Sequence, residues 1–418
     1  MEQQVDVTTR RAAQQLDTDD ELAGFRDQFF FPDSGLLYLD GNSLGRLPLR
    51  TMNRLNSVIG HEWGARLIRG WFEGWMDLPQ QVGDLIGEHF LGAAPGQVVL
   101  ADSTTVNLYK LAAAAVDAAD AGRDVIISNR NNFPTDRYVL EGIAARRGIK
   151  VDLLDLETVT AQAIAEAVGP STALVALSHV DYRTGAIADM AAINDVVHGA
   201  GARVLWDLSH TAGSVPIELD LSRTDLAAGC TYKYLHGGPG APAFLYVRAD
   251  LQEILRPPIW GWFGQQDQFA MGQGFQPVTG IGKFVSGTPP VLCAAAIAEG
   301  VQLMAEAGID RLRRKAMNLT GFAITLADAW LAEHGFSVGS PRDPAECGSH
   351  VALHHRDARD LVAALAAKAD VIVDFREPDV IRLGLAPITT RFTDIWHALD
   401  RLRSLASGVA SGRREGLG

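Results

Sequence analysis

Cysteine is scarce: Cys230, Cys293 and Cys347 are the only three in 418 residues, far apart and with no CxxC pair or His-rich tract beside them. That excludes a disulfide framework, gives no zinc or other metal site, and fits a reducing compartment. Basic charge is also short, 37 Lys and Arg against 50 Asp and Glu, for a net charge of −13. Such a balance gives no electrostatic footprint for nucleic acid or an anionic membrane. No stretch approaches the roughly 18 uninterrupted apolar residues of a membrane span. The N-terminus MEQQVDVTTRRAAQQLDTDDEL lacks the apolar stretch of a secretion signal. The sequence therefore predicts a cytoplasmic protein that acts on a small molecule.

What is present is ordinary globular composition, 47% hydrophobic, with enough length for one large core or two domains. From about residue 98, short β-branched runs alternate with Ala-rich helical stretches, the pattern of βαβ units. The runs QVVLA, RDVIISN, KVDLLDL, TALVALSHV, RVLWDLSH, LAAGCTYKYL and APAFLYVR predict a seven-stranded, mostly parallel α/β sheet with helices on both faces, ending near Val247. A long Gly/Pro/aromatic loop follows and is too long for a simple connector. A helix then starts near Pro290, and shorter strands from about residue 337 predict a smaller α+β C-terminal domain. The predicted division is an N-terminal segment (1–60) packing on the small domain and the active site, a large domain (61–295) and a small domain (296–418). The final stretch SGVASGRREGLG is expected to be disordered.

Two elements carry chemistry. In GCTYKYLHGGPG, Lys233 follows an apolar strand between Tyr232 and Tyr234, where partial desolvation lowers an amine's pKa and makes it a nucleophile toward an aldehyde. Taken alone it reads more readily as a snorkelling surface lysine. In RVLWDLSH, Asp207 closes a strand, where ligands bind in open α/β sheets, although a turn or cap Asp looks the same. A strand-end Asp followed about 26 residues on by a strand-end Lys is the pair pyridoxal phosphate requires: a carboxylate for the pyridinium nitrogen and a lysine for the Schiff base.

Other motifs are open to blander readings. Ser103, Thr104 and Thr105 begin a helix and can either hold a phosphate or cap it. Phe133 and Asp136 in NNFPTDRY offer a flat face and a second carboxylate, or a Pro-containing helix start. Arg382 in DVIRLGLAP suits a substrate carboxylate, with Arg376 and Arg391 as competitors. The aromatic run GHEWGARLIRGWFEGWMDL is expected to be mostly core.

The strings GNSLG, STTVNL, NNFPTDRY, WDLSHTAG, YKYLHGGPG and GWFG together resemble kynureninase, a pyridoxal-phosphate hydrolase of the aspartate-aminotransferase fold (fold type I), over roughly residues 36–400. WDLSH and YKYL alone point only to the wider group that contains cysteine desulfurases; GNSLG, FPTD and GWFG narrow it. The resemblance implies hydrolytic Cβ–Cγ cleavage of L-kynurenine to anthranilate and L-alanine, in tryptophan degradation. It implies that Lys233, Tyr232 and Asp207 are catalytic, and that Thr104, Thr105, Tyr232, Trp262 and, across a homodimer, Thr288 bind the cofactor phosphate. Phe133, Pro134, Thr135, Asp136, Ser178 and His210 join the cofactor site by the same resemblance. Arg382 takes the substrate carboxylate, and His61 and Ser43 lie at the substrate end. Animal kynureninases have Asn where this chain has Thr288, which implies a preference for kynurenine over 3-hydroxykynurenine. The rivals are a cysteine desulfurase or selenocysteine lyase using Cys347, a silent cofactor-fold binding protein, and an aminotransferase.

Overall fold

Strand β1 (Leu37–Tyr38) belongs to a two-stranded sheet taken up below. The strands β2 (Val98–Ala101), β3 (Val125–Asn129), β4 (Lys150–Leu154), β5 (Thr172–Ser178), β6 (Arg203–Asp207), β7 (Leu226–Gly229) and β8 (Ala243–Val247) form one seven-stranded sheet. The computed structural model in which they are seen describes residues 6–415, with side chains through residue 407. The strand order is β2-β8-β7-β6-β5-β3-β4, and only β8 runs antiparallel to its neighbours.

Strands covered on both faces read as unbroken apolar runs, and alternate residues serve opposite faces. In β5, Leu174 and Ala176 join the cluster under helices Thr104–Asp117 and Pro134–Arg147, while Val175 and Leu177 join the cluster under Leu78–Ile86, Met190–Gly199 and Val291–Ala307. The helix after β3 packs on the first face, and the helix Ala161–Ala167 after β4 packs on the second through Ile164. This crossing of faces makes a switch point, and the crevice beyond the strand ends there is where such sheets bind ligands.

The smaller sheet has β9 (Ser337–Val338), β10 (His350–His354), β12 (Asp374–Arg376) and β13 (Val380–Gly384), in the antiparallel order β12-β13-β10-β9. β11 (Val371–Ile372) instead pairs in parallel with β1. Val351, Leu353, Ile381 and Leu383 point into a core with Leu319, Phe322 and Leu399, to which Ala13, Leu37 and Leu39 of the N-terminal segment contribute. Asp17 accepts from the backbone N–H groups of Phe392 (2.6 Å) and Thr393 (3.2 Å), satisfying free donors at the start of the last helix. The opposite face of this sheet is polar: in register lie Asp374 beside Arg382, and His350 beside Gly384.

Three sequence expectations change. The strand LAAGCTYKYL ends at Gly229, so Lys233 stands in a turn four residues beyond it. The last helix runs Phe392–Glu415, through most of the stretch expected to be disordered; residues 416–418 lie outside the described residues. The aromatic run is not core: Trp63, Leu67, Ile68 and Phe72 are exposed on a π-helical segment, Val58–Arg66, and a following 3₁₀ segment, Leu67–Glu73. Its apolar residues are too closely spaced to lie on one face, so this chain by itself cannot cover them all. Among the described residues no single helix is long and apolar enough to cross a membrane. Val291–Ala307 and Ile309–Trp330 reach that length together but are bent by 80°.

Candidate active site

The GNSLG loop docks on the turn that carries Lys233. The Gly45 N–H donates to the Tyr232 carbonyl at 2.8 Å, and a Cβ on Gly45 would stand 2.2 Å from the Lys233 carbonyl oxygen. Only glycine permits that approach. The half-buried Lys233 Nζ lies 3.1 Å from His210 Nε2. Burial, and then the charge of Lys233, push His210 well below the usual histidine range, so the imidazole paired with the lysine amine is uncharged. The His210 ring is also 5.4 Å from that of His350, which burial likewise keeps neutral.

Below this amine is a pair of carboxyls. Asp207, at the end of β6, accepts from the Ser209 N–H at 2.8 Å and, through the β5–β6 register, stands beside Ser178. Asp136 arrives from the first turn of helix Pro134–Arg147 and hydrogen-bonds Asp207. Burial first, and then the neighbouring charge of Asp207, hold Asp136 well above the ordinary carboxylate range. Two carboxylates in contact do not both ionise, so Asp136 keeps its proton and donates it to Asp207. Asn132, which sequence reasoning passed over inside its own motif, organises the corner: its Oδ1 accepts from Ser178 Oγ (2.5 Å) and from the Phe133 N–H (2.9 Å). Phe133 meets Tyr182 edge to face at 5.3 Å, with Pro134 and Thr135 following in the first turn.

At the neighbouring strand end, capping falls to one of the three hydroxyl residues. Ser103 caps the helix, its Oγ accepting from Val106 N at 3.4 Å, and the Thr104 and Thr105 hydroxyls have no hydrogen bond among the described residues. A cavity of about 340 Å³ opens here, lined by Asp102, Ser103, Gly240, Ser286 and Thr288. The Tyr232 phenol is pushed upward by the adjacent Cys230 thiol and by burial, and so remains an O–H donor at neutral pH.

Arg382 is fully buried on the polar face of the small sheet. Its Nε and Nη2 donate to Asp374 Oδ1 and Oδ2 (3.3 and 2.5 Å), and Nη1 donates to the Tyr182 carbonyl (2.5 Å). A guanidinium has five N–H donors. Two therefore remain, one on each terminal nitrogen, spaced for a carboxylate. Ser43 also reaches this point, its Oγ donating to Asp374 Oδ2 at 3.0 Å. Asp374 was missed because only the pairing of β12 with β13 places it beside Arg382. Arg376 binds the outer side of Asp374 at 2.8 Å, and Arg391 is engaged by Asp394, so neither competes for the site.

The structure does not bring every expected residue to Lys233. His61 is exposed on the Val58–Arg66 segment, Trp262 is 42% exposed, and Thr288 is exposed; none of them bonds to the Lys233 cluster within this chain. Thr288 instead joins Trp63, Trp71, Trp75 and Pro289 around an apolar cavity of about 420 Å³. Cys347 is fully buried, bridged in backbone to Ala186, and burial pushes its thiol up to about 11. A buried, protonated thiol is the opposite of a reactive one.

The donor set fits pyridoxal phosphate: an amine, two carboxyls in contact of which Asp136 keeps its proton, and hydroxyls at a helix N-terminus. Asp40 Oδ1 and both amide atoms of Asn42 are buried without partners beside Arg382 and His210, as in a site that completes its hydrogen bonds with a ligand. Among the described residues no cluster of His, Cys, Asp and Glu is arranged to hold a metal ion.

Comparison with known proteins agrees. A sequence profile described as the kynureninase C-terminal domain matches residues 312–402. A kynureninase of Pseudomonas fluorescens is 40% identical over 402 residues, covering 95% of this chain and 95% of that protein. One from Burkholderia pseudomallei (strain K96243) is 40% identical over 405 residues, covering 96% of each. Among solved structures, a C-DES mutant with glycine covalently linked to its pyridoxal-phosphate cofactor is similar with a TM-score of 0.78 at 22% identity, covering 90% of this chain and 98% of that one. A cysteine desulfurase from Thermococcus onnurineus NA1 is similar with a TM-score of 0.77 at 17% identity, covering 94% and 98%. At such identities the likeness is one of fold, that of fold type I pyridoxal-phosphate enzymes.

Proposed function

The chain belongs to the kynureninase family, and from that membership we infer that it uses pyridoxal phosphate to cleave the Cβ–Cγ bond of L-kynurenine with water, releasing anthranilate and L-alanine. The single observation that carries the residue assignment is the Lys233–His210 contact standing over the Asp207–Asp136 pair. When bound, the cofactor supplies an aldehyde for the substrate amine and a cationic ring that accepts electrons from Cα.

Arg382 orients the substrate by donating its two free N–H groups to the carboxylate. Lys233 Nζ takes the α-proton, and neutral His210 holds that amine in place through Nε2. Asp207 would keep a proton on the cofactor's ring nitrogen, and Phe133, His210, Ser178 and the Asp136 turn would hold its ring. Tyr232, an O–H donor, serves the phosphate together with Thr104 and Thr105, or the oxyanion formed as water adds to the γ-carbonyl. Ser43 and His61 belong to the substrate end. Cysteine desulfurases are relatives in fold, and the burial of Cys347 leaves that rival without its nucleophile.

The exposed apolar surface supports a homodimer. Ile68 is 72% and Phe72 78% exposed, and Trp63, Trp260 and Trp262 share that exposed apolar set. Contiguous exposed patches of this kind mark association surfaces. In this reading His61, Trp262 and Thr288 act across the interface, which accounts for their separation from Lys233 in one chain. Ile68→Asp with Phe72→Asp is expected to yield a monomer by sedimentation, with activity reduced at least ~10-fold, since burying two unpaired charges disfavours the interface. An unchanged oligomer would remove this surface from consideration. The division at residues 60 and 295, the second of which falls inside helix Val291–Ala307, and a cytoplasmic location consistent with three free thiols belong to the same proposal.

The test is product analysis: purified enzyme with L-kynurenine should give anthranilate and alanine in equal amounts without a keto-acid acceptor, and should turn over 3-hydroxykynurenine more slowly. Alanine without anthranilate, or a requirement for a keto acid, would overturn the reading.

A further inference from the structure

Lys110 lies in the second turn of helix Thr104–Asp117, yet its side chain is fully buried, an unfavourable place for an ammonium unless it is well paired. Nζ donates to Asp102 Oδ2 and to the Phe284 carbonyl, each at 2.6 Å. Asp102 links the end of β2 to the cap Ser103 and holds a left-handed backbone, φ 39°, which a residue with a Cβ adopts only when its surroundings enforce it. The same Oδ2 accepts from Ser286 Oγ at 3.3 Å. Thr288 stands two residues further on, exposed and without a hydrogen bond of its own among the described residues, so its position is set by this loop. On the loop's other side Gly261 packs so tightly that a Cβ there would come within 1.5 Å of the Ser286 carbonyl oxygen, and Trp262 follows directly. One buried ammonium thus ties the start of the Thr104 helix to the loop at 284–288 and, through it, to Trp262. None of the chemical steps above uses Lys110.

We propose that the buried Lys110–Asp102 pair is a positioning clamp, which holds loop 284–288 against the helix N-terminus so that Thr288 is presented for a cofactor phosphate. The proposal rests on the reading that Thr288 binds that phosphate. The loop has little regular structure, and ordering it in advance removes an entropic cost from cofactor binding.

The test follows the rate at which pyridoxal phosphate leaves the holoenzyme, by absorbance, in Lys110→Met, in Thr288→Ala and in the double variant. Lys110→Met is expected to speed loss about tenfold when Thr288 is present and less than about threefold when it is alanine, because interactions along one chain of contacts are not additive. The same factor in both backgrounds, or no effect in either, would show a merely structural lysine and overturn the clamp. Thr288→Ala with unchanged release would instead overturn the phosphate reading, and the clamp with it. Should Lys110→Met not fold, Ser286→Ala removes only the Asp102 link from a half-buried side chain. It should speed release in the same direction by a smaller factor, again suppressed by Thr288→Ala; additive effects there count against the clamp equally.

Discussion

Replacing Lys233 by alanine is expected to lower anthranilate formation by at least about 10³-fold while leaving the fold intact. The amine is asked both to present itself to the aldehyde and to move the α-proton, and positioned acid–base catalysis alone contributes roughly 10²–10⁴-fold. Lys233 is half-buried in a turn, and among the described residues its amine pairs only with His210, so its loss opens no core cavity. It also removes a positive charge that depresses His210; burial, the larger cause, still keeps that imidazole neutral. Anthranilate fluorescence gives the activity, and circular dichroism the fold. Activity within tenfold of the parent would mean that another group carries the chemistry.

The second large effect separates two carboxyls that are hard to tell apart in sequence. Asp207→Asn is expected to cost about 10²–10³-fold in kcat, because an amide does not stabilise the protonated ring nitrogen. Asp136→Asn should cost less than about fivefold, since an amide N–H can replace the carboxylic O–H that donates to Asp207. Equal losses in the two variants would contradict the assignment of the proton. A pH dependence follows with a definite sign. Asp136 is raised above its ordinary value, 3.8, by burial first and by Asp207 second. The stability linked to its proton is therefore complete below that ordinary value and is lost as pH rises through the higher folded-state value. Asp136→Asn, neutral throughout, should flatten that decline in the Tm of the cofactor-free protein.

The two carboxyls also show where sequence reasoning stops. NNFPTD and WDLSH mark both aspartates as candidates at strand ends. Which one ionises depends on how deeply each is buried and on their mutual contact, and those are properties of the packed sheet. The same holds for Arg382. Its motif stands in the sequence, but its orientation by Asp374 and the Tyr182 carbonyl comes from a β-ladder register and from contact between residues 200 positions apart. For Lys110, helical periodicity places it among buried neighbours, and nothing local announces that a charge is paired there.

The aromatic run at residues 60–78 went the other way. Dense apolar residues read as core, and here they are largely surface, because a single chain cannot wrap an apolar stretch on every side. By itself the sequence determined the seven strands, the helices between them, the order of the motifs and the type of chemistry. Period-two and period-3.6 patterns are local, and strand-end residues inherit their position from them. Only the tertiary structure decided which carboxyl keeps its proton, which donors of Arg382 stay free and which apolar side chains remain exposed. Burial, charge proximity and hydrogen-bond satisfaction arise between segments far apart in the chain and exist only once those segments are packed together.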